Sequence, residues 1–146
     1  MSTFTRRATV NWTGSILEGS GKATAASGAF SLPVTFPRRI GEPEGVTSPE
    51  ELIAAAHATC YAMVVTATLG RLNASMQKST VTCAVTGEKT DAGLKILSSS
   101  LEVVAEGLTG MDAATFVTTA TAAEGKCPVS NALRGSVAID VKARVK

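Results

Sequence analysis

Aromatic residues, histidine and cysteine are scarce in this sequence of 146 residues, which has four Phe, one Trp, one Tyr, one His and three Cys. So few aromatic rings leave little material for stacking on nucleic-acid bases. A net charge of +2, from 14 basic and 12 acidic side chains, gives no electrostatic reason to bind nucleic acid or a membrane surface. One histidine, and cysteines without a Cys-x-x-Cys pair, supply few ligands for zinc. We therefore expect no nucleic-acid, membrane or metal partner.

The N-terminal residues also lack an apolar core of the kind that a signal peptide requires, so none is expected. An odd number of cysteines without a signal peptide indicates a reducing compartment, and we expect the cytoplasm. The length is enough for one domain with a hydrophobic core but short for two, which predicts a single domain over residues 1–146.

Alternation of apolar and polar residues predicts strands on both sides of a polar, Pro- and Gly-containing hinge at residues 37–49. Before the hinge the pattern favours a meander of about three short strands. After it, strands are predicted around residues 81–85, 94–103 and 137–141, with a turn-rich connection at 87–93. Asp112 is expected to cap a helix that runs to about Gly125, and a short helical turn follows at Cys127. This order is typical of an α+β fold.

A long helix is predicted after the hinge. Ser48 is the expected N-cap, Pro49 takes the first helical position and Glu51 completes a capping box. The sequence from Leu52 to Gly70 contains no charged residue. The length of this uncharged segment approaches that of a transmembrane helix. Its Ala and Thr content makes it a poor membrane span. A helix that is apolar all round is expected to be buried all round, so we expect a second subunit to cover part of it.

The three cysteines have different local settings. Cys83 lies in an alternating strand, where a small core residue is expected. Cys127 directly precedes Pro128 at a predicted helix N-terminus, which favours a thiolate and partial exposure. Cys60 lies in the middle of the long helix, where apolar surroundings raise the pKa of a thiol. Cys60 is therefore expected to react only if a cation is brought to it.

Candidate cations are Arg38 and Arg39 in the hinge, because an arginine keeps its charge and lowers the pKa of a neighbouring thiol. A carboxylate would hold the guanidinium. On a helical wheel Glu50 lies roughly 80° from Cys60, whereas Glu51 lies on the opposite side. Ten residues of helix nevertheless separate Glu50 from Cys60 by about 15 Å.

Two arrangements would bridge this distance. Either a long arginine side chain spans much of it, or the arginine and the glutamate come from a partner subunit. Two copies of the helix, packed antiparallel across the small alanines at 54–56, would bring Glu50 of one copy towards Cys60 of the other.

His57 precedes Cys60 by one helical turn. A Cys60–His57 nucleophile pair would suit acyl transfer, although no third member of a triad is evident. The alternative is a buried histidine that bonds to a backbone carbonyl group.

Two motifs resemble those of a known family, the OsmC/Ohr family of osmotically inducible protein C and the organic hydroperoxide resistance proteins. The segment SPEELIAAAHATC, from Ser48 to Cys60, resembles the family's central helix, and it is closer to the OsmC branch. The segment GKCPVS, from Gly125 to Ser130, resembles the second cysteine motif. The resemblance covers essentially the whole chain, with further similarity at residues 12–14, 91–93 and 111–113.

The resemblance implies an intertwined homodimer, with antiparallel sheets around a long buried central helix, and thiol-dependent reduction of organic hydroperoxides. Cys60 matches the family's peroxidatic cysteine and Cys127 the resolving one, whereas Cys83 has no counterpart role. Glu50 matches the conserved glutamate position, and Arg39 matches the arginine better than the adjacent Arg38 does.

The implied reaction leaves a sulfenate on Cys60, which Cys127 captures as a disulfide. An external dithiol, of lipoyl type or a small thiol, resets the pair, and no cofactor is implied. The chain is then an antioxidant enzyme of oxidative or osmotic stress, and the sequence specifies neither its natural hydroperoxide nor the inducing stress. Two other interpretations stay open: a dimeric carrier of a small apolar ligand with incidental cysteines, and Cys60–His57 acyl transfer.

Overall fold

The chain begins with a three-stranded antiparallel meander, as the alternation predicts. The computed structural model describes all 146 residues, and they form two compact units, Met1–Leu52 and Ile53–Lys146. The meander lies in the first unit, in the order β1-β2-β3. Its strands are β1 (Ala8–Thr13), β2 (Ser20–Ala25) and β3 (Ser31–Val34).

The predicted hinge contains a short helix, α1 (Phe36–Ile40), which the sequence pattern did not predict. The Thr35 hydroxyl accepts a hydrogen bond from the Arg38 N–H at 3.4 Å, and Pro37 occupies the first turn. Both residue types favour a helix start. The helix is too short to show apolar periodicity, which explains why the pattern indicated only a hinge. It places both arginines in its last turn.

The long helix α2 (Pro49–Arg71) begins where it was predicted to begin. The Ser48 hydroxyl accepts a hydrogen bond from the Glu51 N–H at 3.1 Å, which confirms Ser48 as the cap. The Glu51 carboxylate accepts a hydrogen bond from the Thr47 hydroxyl at 2.7 Å. Ser48 therefore caps the helix through its side chain, while the side chain of Glu51 binds Thr47 instead of closing the capping box.

Helix α2 is buried along one stripe, because its buried residues recur every four positions: His57, Tyr61, Val65 and Leu69. The single chain leaves other sides of the helix exposed, and Met63 is 68% exposed, so the expectation that a second subunit covers part of the helix stays a prediction. One chain has too few elements to surround a helix of this length. The helix is also long and apolar enough to cross a membrane by length and composition, properties that the core helices of soluble proteins share.

The second unit contains a three-stranded sheet in the order β4-β5-β6. Its strands are β4 (Lys78–Thr90), β5 (Gly93–Glu106) and β6 (Ala138–Val145). Strands β4 and β5 are antiparallel, but β6 is parallel to β5, so the expectation of purely antiparallel sheets is wrong. The reason is the connection from β5 to β6, which passes through helices and is long enough for a parallel crossover.

The predicted turn-rich connection at 87–93 is largely strand. Strand β4 continues to Thr90, with a register shift between Thr86 and Gly87, and β5 starts at Gly93. Alternation is lost at the shift because an irregularity of this kind breaks the period of two. The turn itself is confined to the residues between Thr90 and Gly93.

The connection from β5 to β6 contains α3 (Ala113–Ala123), a 3-10 turn (Glu124–Lys126) and α4 (Pro128–Leu133). The predicted cap of α3 is confirmed, since Asp112 accepts a hydrogen bond from the Thr115 N–H at 2.7 Å. Buried side chains of α2, β5 and α3 form one core with Cys127. Within this core the Tyr61 hydroxyl donates to the Ala120 carbonyl at 2.6 Å.

Phe116 tests the importance of this core, because its ring is fully buried whereas the next residue, Val117, is 38% exposed. We expect Phe116→Ala to lower the free energy of unfolding by about 3–5 kcal/mol through lost burial and a residual cavity. Val117→Ala is the matched control and should change it by less than about 0.5 kcal/mol. Urea unfolding measures both, and equal effects of the two substitutions would contradict this description of the core.

Candidate functional site

The structure brings Cys60 and Cys127 together from distant parts of the sequence. Cys60 lies on α2 and is half-buried, and Cys127 is the N-cap residue of α4. The Cys127 side chain lies close enough to Cys60 to raise the pKa of its thiol. Cys127 is fully buried, so its expected partial exposure is wrong. A residue at a helix N-terminus is often partly exposed to solvent, but the Cys127 side chain points into the core of the second unit.

The pKa of the Cys60 thiol is raised in the single chain. Burial is the largest cause, and the neighbouring Cys127 raises the pKa further. A hydrogen bond from the Val129 backbone N–H acts in the opposite direction without reversing the shift. None of these groups is a cation. The thiol is therefore protonated at neutral pH unless another positive group approaches it.

Arg39 and Glu50 form a paired group in the first unit. The Arg39 Nε donates to both carboxylate oxygens at 3.1 Å, and Nη2 donates to Oε1 at 2.7 Å. Arg38 instead pairs with Glu44 at 2.5 Å and donates to the Glu42 carbonyl at 3.2 Å. Of the two candidate arginines, only Arg39 is thus held in a fixed orientation by Glu50.

The same pair changes the titration of Glu50. Partial burial, the largest single cause, would raise the pKa of its carboxyl group, but the hydrogen bonds and charge of Arg39, together with a backbone hydrogen bond at Glu50, outweigh burial and hold the pKa below the usual value. The carboxylate is therefore ionised at neutral pH.

Beside Arg39 lies an apolar cavity of about 310 Å³ within the first unit. Most of its lining is aliphatic or aromatic, and Arg39 supplies the charged group. Its main lining residues are Val10, Trp12, Ile16, Val34, Phe36 and Leu52. The cavity combines an apolar surface with one cation, which suits a molecule with an apolar body and a polar or anionic end.

His57 is fully buried and bonds to two serine hydroxyls. Its Nδ1 lies 2.6 Å from Ser99 Oγ, and its Nε2 lies 2.7 Å from Ser130 Oγ. The expected bond to a backbone carbonyl is therefore wrong. Burial lowers the pKa of His57, although the charge of Glu124 acts to raise it. The ring is neutral at neutral pH, with one nitrogen donating and the other accepting.

Cys83 contacts this histidine network. Its Sγ lies 3.2 Å from Ser99 Oγ and 3.8 Å from the His57 Nδ1. Burial raises the pKa of its thiol despite the hydrogen bond from Ser99. Cys83 also packs against the core of the second unit, which agrees with the prediction of a small core residue.

Sequence reasoning did not single out Ser99 or Ser130, and it named no particular residues for the cavity. Ser130 does lie in the GKCPVS segment, but a serine in a short motif does not reveal its partner. No group of three or more His, Cys, Asp or Glu side chains lies close enough to hold a metal ion.

Comparison with known proteins identifies the family. Residues 41–142 match the family described as OsmC-like protein. Peroxiredoxin OsmC of Escherichia coli (strain K12) is 34% identical over 139 residues, which cover 94% of this chain and 96% of that protein. This chain belongs to the OsmC family.

Solved structures confirm the OsmC-like α+β fold. An organic hydroperoxide resistance protein OsmC from Legionella pneumophila superposes with a TM-score of 0.76 at 25% identity, and 99% of this chain and 100% of that chain are covered. The organic hydroperoxide resistance protein OhrB of Bacillus subtilis shares the fold, with a TM-score of 0.71 at 24% identity over 94% and 98% of the two chains.

The Arg39–Glu50 pair predicts a pH-dependent stability for this OsmC protein. Because the pKa of Glu50 is lower in the folded chain, its stabilisation is complete above the pKa of the unfolded chain and disappears as the pH falls through the folded value. Glu50→Gln should lower Tm by about 2–4 °C at pH 7, and by less as the pH falls towards 3. Glu44→Gln, at a pair exposed to water, is the control, with a change below about 1 °C. A Glu50→Gln difference that grows towards acid pH would contradict the argument.

Proposed function

We propose that this OsmC protein is a thiol-dependent peroxidase that reduces organic hydroperoxides to alcohols. The observation that carries the proposal is the contact between the Cys60 and Cys127 side chains. Two free thiols that lie close together are suited to form a disulfide. The names of the Escherichia coli and Legionella relatives, a peroxiredoxin and a hydroperoxide resistance protein, support the same activity.

The reaction begins at Cys60. Its thiolate attacks the terminal peroxide oxygen, the O–O bond breaks, and the leaving alkoxide takes a proton to become the alcohol. The sulfenic acid left on Cys60 then reacts with the Cys127 thiol, which forms the disulfide and releases water before over-oxidation. An external dithiol, of lipoyl type or a small thiol, restores both thiols by exchange. The thiols supply both electrons, so the proposal invokes no cofactor.

The first step needs a cation, because burial raises the pKa of Cys60. We assign that role to Arg39, whose guanidinium is already held by Glu50. Along α2 the ten residues from Glu50 to Cys60 correspond to about 15 Å, too far for the carboxylate of the same helix. We therefore propose a homodimer in which Arg39 of the partner subunit ionises Cys60. The exposed face of α2, marked by Met63, leaves room for that partner.

The cavity beside Arg39 favours organic over hydrogen peroxide. An alkyl group gains about 0.8 kcal/mol for each methylene that it buries, whereas hydrogen peroxide has no apolar part. Apart from Arg39, the residues that line this cavity are almost entirely apolar.

The second candidate function is a carrier of small apolar ligands, because the apolar cavity alone would be enough to bind such a ligand. A carrier has no use for two thiols in contact, and this favours the peroxidase. Three free cysteines also fit a reducing compartment, and we propose that the protein is cytoplasmic.

Thiol counting tests the two functions. One equivalent of cumene hydroperoxide should remove two of the three free thiols per chain, and dithiothreitol should restore them. Cys60→Ser should abolish turnover, and Cys127→Ser should allow roughly one turnover before it stalls. Cys83→Ser is the control and should keep turnover near that of the wild type. A protein that keeps all three thiols and binds an apolar ligand would be a carrier.

Arginine variants test how Cys60 is ionised. In a Cys83→Ser, Cys127→Ser background, the pH dependence of iodoacetamide alkylation reports Cys60 alone. Arg39→Ala should raise the pKa of Cys60 by about 1–3 units, because an adjacent opposite charge lowers a pKa by that amount. Arg38→Ala, which removes an arginine bound to Glu44, should leave the profile in place. If Arg38→Ala raised the pKa of Cys60 and Arg39→Ala did not, Arg38 would be the residue that ionises Cys60.

A further inference from the structure

His57 bonds to Ser130, and Ser130 lies three residues after Cys127 in α4. We propose that His57 is a positioning residue which, through Ser130, holds Cys127 against Cys60 for the disulfide-forming step. The proposal rests on the function above, since it needs Cys127 to capture an oxidised Cys60. It assigns a role in that step to a residue that touches neither sulfur.

His57 links the helix that carries Cys60 to the helix that begins at Cys127. His57 precedes Cys60 by three positions on α2, so their side chains lie on neighbouring turns of one helix. Ser130 and Cys127 belong to the same helical turn, which the Asn131 N–H closes by donating to the Cys127 carbonyl at 3.0 Å. The bond of 2.7 Å from His57 to Ser130 therefore fixes the turn that carries Cys127 against the helix that carries Cys60.

The other polar contacts of α4 do not provide this restraint. Asn131 donates to the Gly125 carbonyl, and Arg134 pairs with Glu124 at 2.6 Å. Both contacts join α4 to the 3-10 turn just before it. If α4 moved away from α2, the 3-10 turn could move with it, so these contacts do not hold α4 against α2.

The remaining polar contacts between α2 and α4 are those of Cys60 itself, with Cys127 and the Val129 N–H. They change when the Cys60 sulfur gains an oxygen. The bond from His57 to Ser130 does not involve a reactive sulfur, so it persists while the sulfenate awaits capture.

A neutral imidazole is suited to this role. Each ring nitrogen faces one buried hydroxyl, and a serine hydroxyl can donate or accept, so the network is satisfied without a buried charge. The second partner, Ser99, lies on β5 and ties the ring to the sheet. Loss of either serine leaves one ring nitrogen without its hydroxyl, but only loss of Ser130 releases α4.

The two serines give a matched pair of variants. Under single-turnover conditions with cumene hydroperoxide, Ser130→Ala should slow formation of the Cys60–Cys127 disulfide about tenfold, a barrier change of about 1.4 kcal/mol. Ser99→Ala should stay within about twofold of the wild type. The rate of hydroperoxide consumption in that turnover should change much less than the rate of disulfide formation, because Cys127 affects the attack on the peroxide only through the pKa of Cys60, whereas it is a reactant in disulfide formation.

Two further readouts separate positioning from a general loss of structure. In Ser130→Ala the longer-lived sulfenate should give several-fold more dimedone adduct, and excess hydroperoxide should convert more Cys60 to the sulfinic acid. Intact-protein mass spectrometry measures both products. A variant that is merely destabilised would slow both steps together.

The outcomes distinguish the inference from the function beneath it. If the wild type forms no Cys60–Cys127 disulfide, the proposed function itself is wrong. If the wild type forms it and the two serine variants behave alike, or Ser130→Ala slows hydroperoxide consumption as much as disulfide formation, only the role of His57 is overturned.

Discussion

The contact between the side chains of Cys60 and Cys127 is the constraint on which the rest of the structure depends. The two residues belong to α2 and α4, so the helices of the second unit must pack correctly before the thiols can meet. Cys127 is fully buried and Cys60 is half-buried, and this burial raises the pKa of Cys60. The fold therefore has to keep the sulfurs close while a charge is brought to one of them.

The groups that hydrogen-bond to one another around His57 are polar but neutral. His57, Ser99 and Ser130 satisfy one another's hydrogen bonds without a buried ion. A cation buried permanently among them would carry a desolvation cost of several kcal/mol. The chain instead keeps its oriented guanidinium, Arg39 on Glu50, in the partly exposed first unit.

Local signals in the sequence predicted much of the fold, and long-range contacts account for most of what they missed. The Ser48 and Asp112 caps are confirmed because a cap involves only neighbours in the chain. The parallel pairing of β6 and the serine partners of His57 join residues that are far apart in sequence. The family motifs predicted that Cys60 and Cys127 act together, but a local pattern could not show that Cys127 is buried.

In the proposed mechanism, a cation supplied by the partner subunit would also control reactivity. In the proposed homodimer, a chain that has not yet met its partner carries a protonated Cys60, which is a poor nucleophile. Assembly would then bring both the charge of Arg39 and its apolar cavity to the sulfur, so the thiolate forms where an alkyl hydroperoxide is bound. The neutral network around His57 needs no such partner, because it already holds Cys127 beside Cys60 in one chain. In this proposal the charge that ionises the attacking thiol and the network that places the resolving thiol thus come from different parts of the fold.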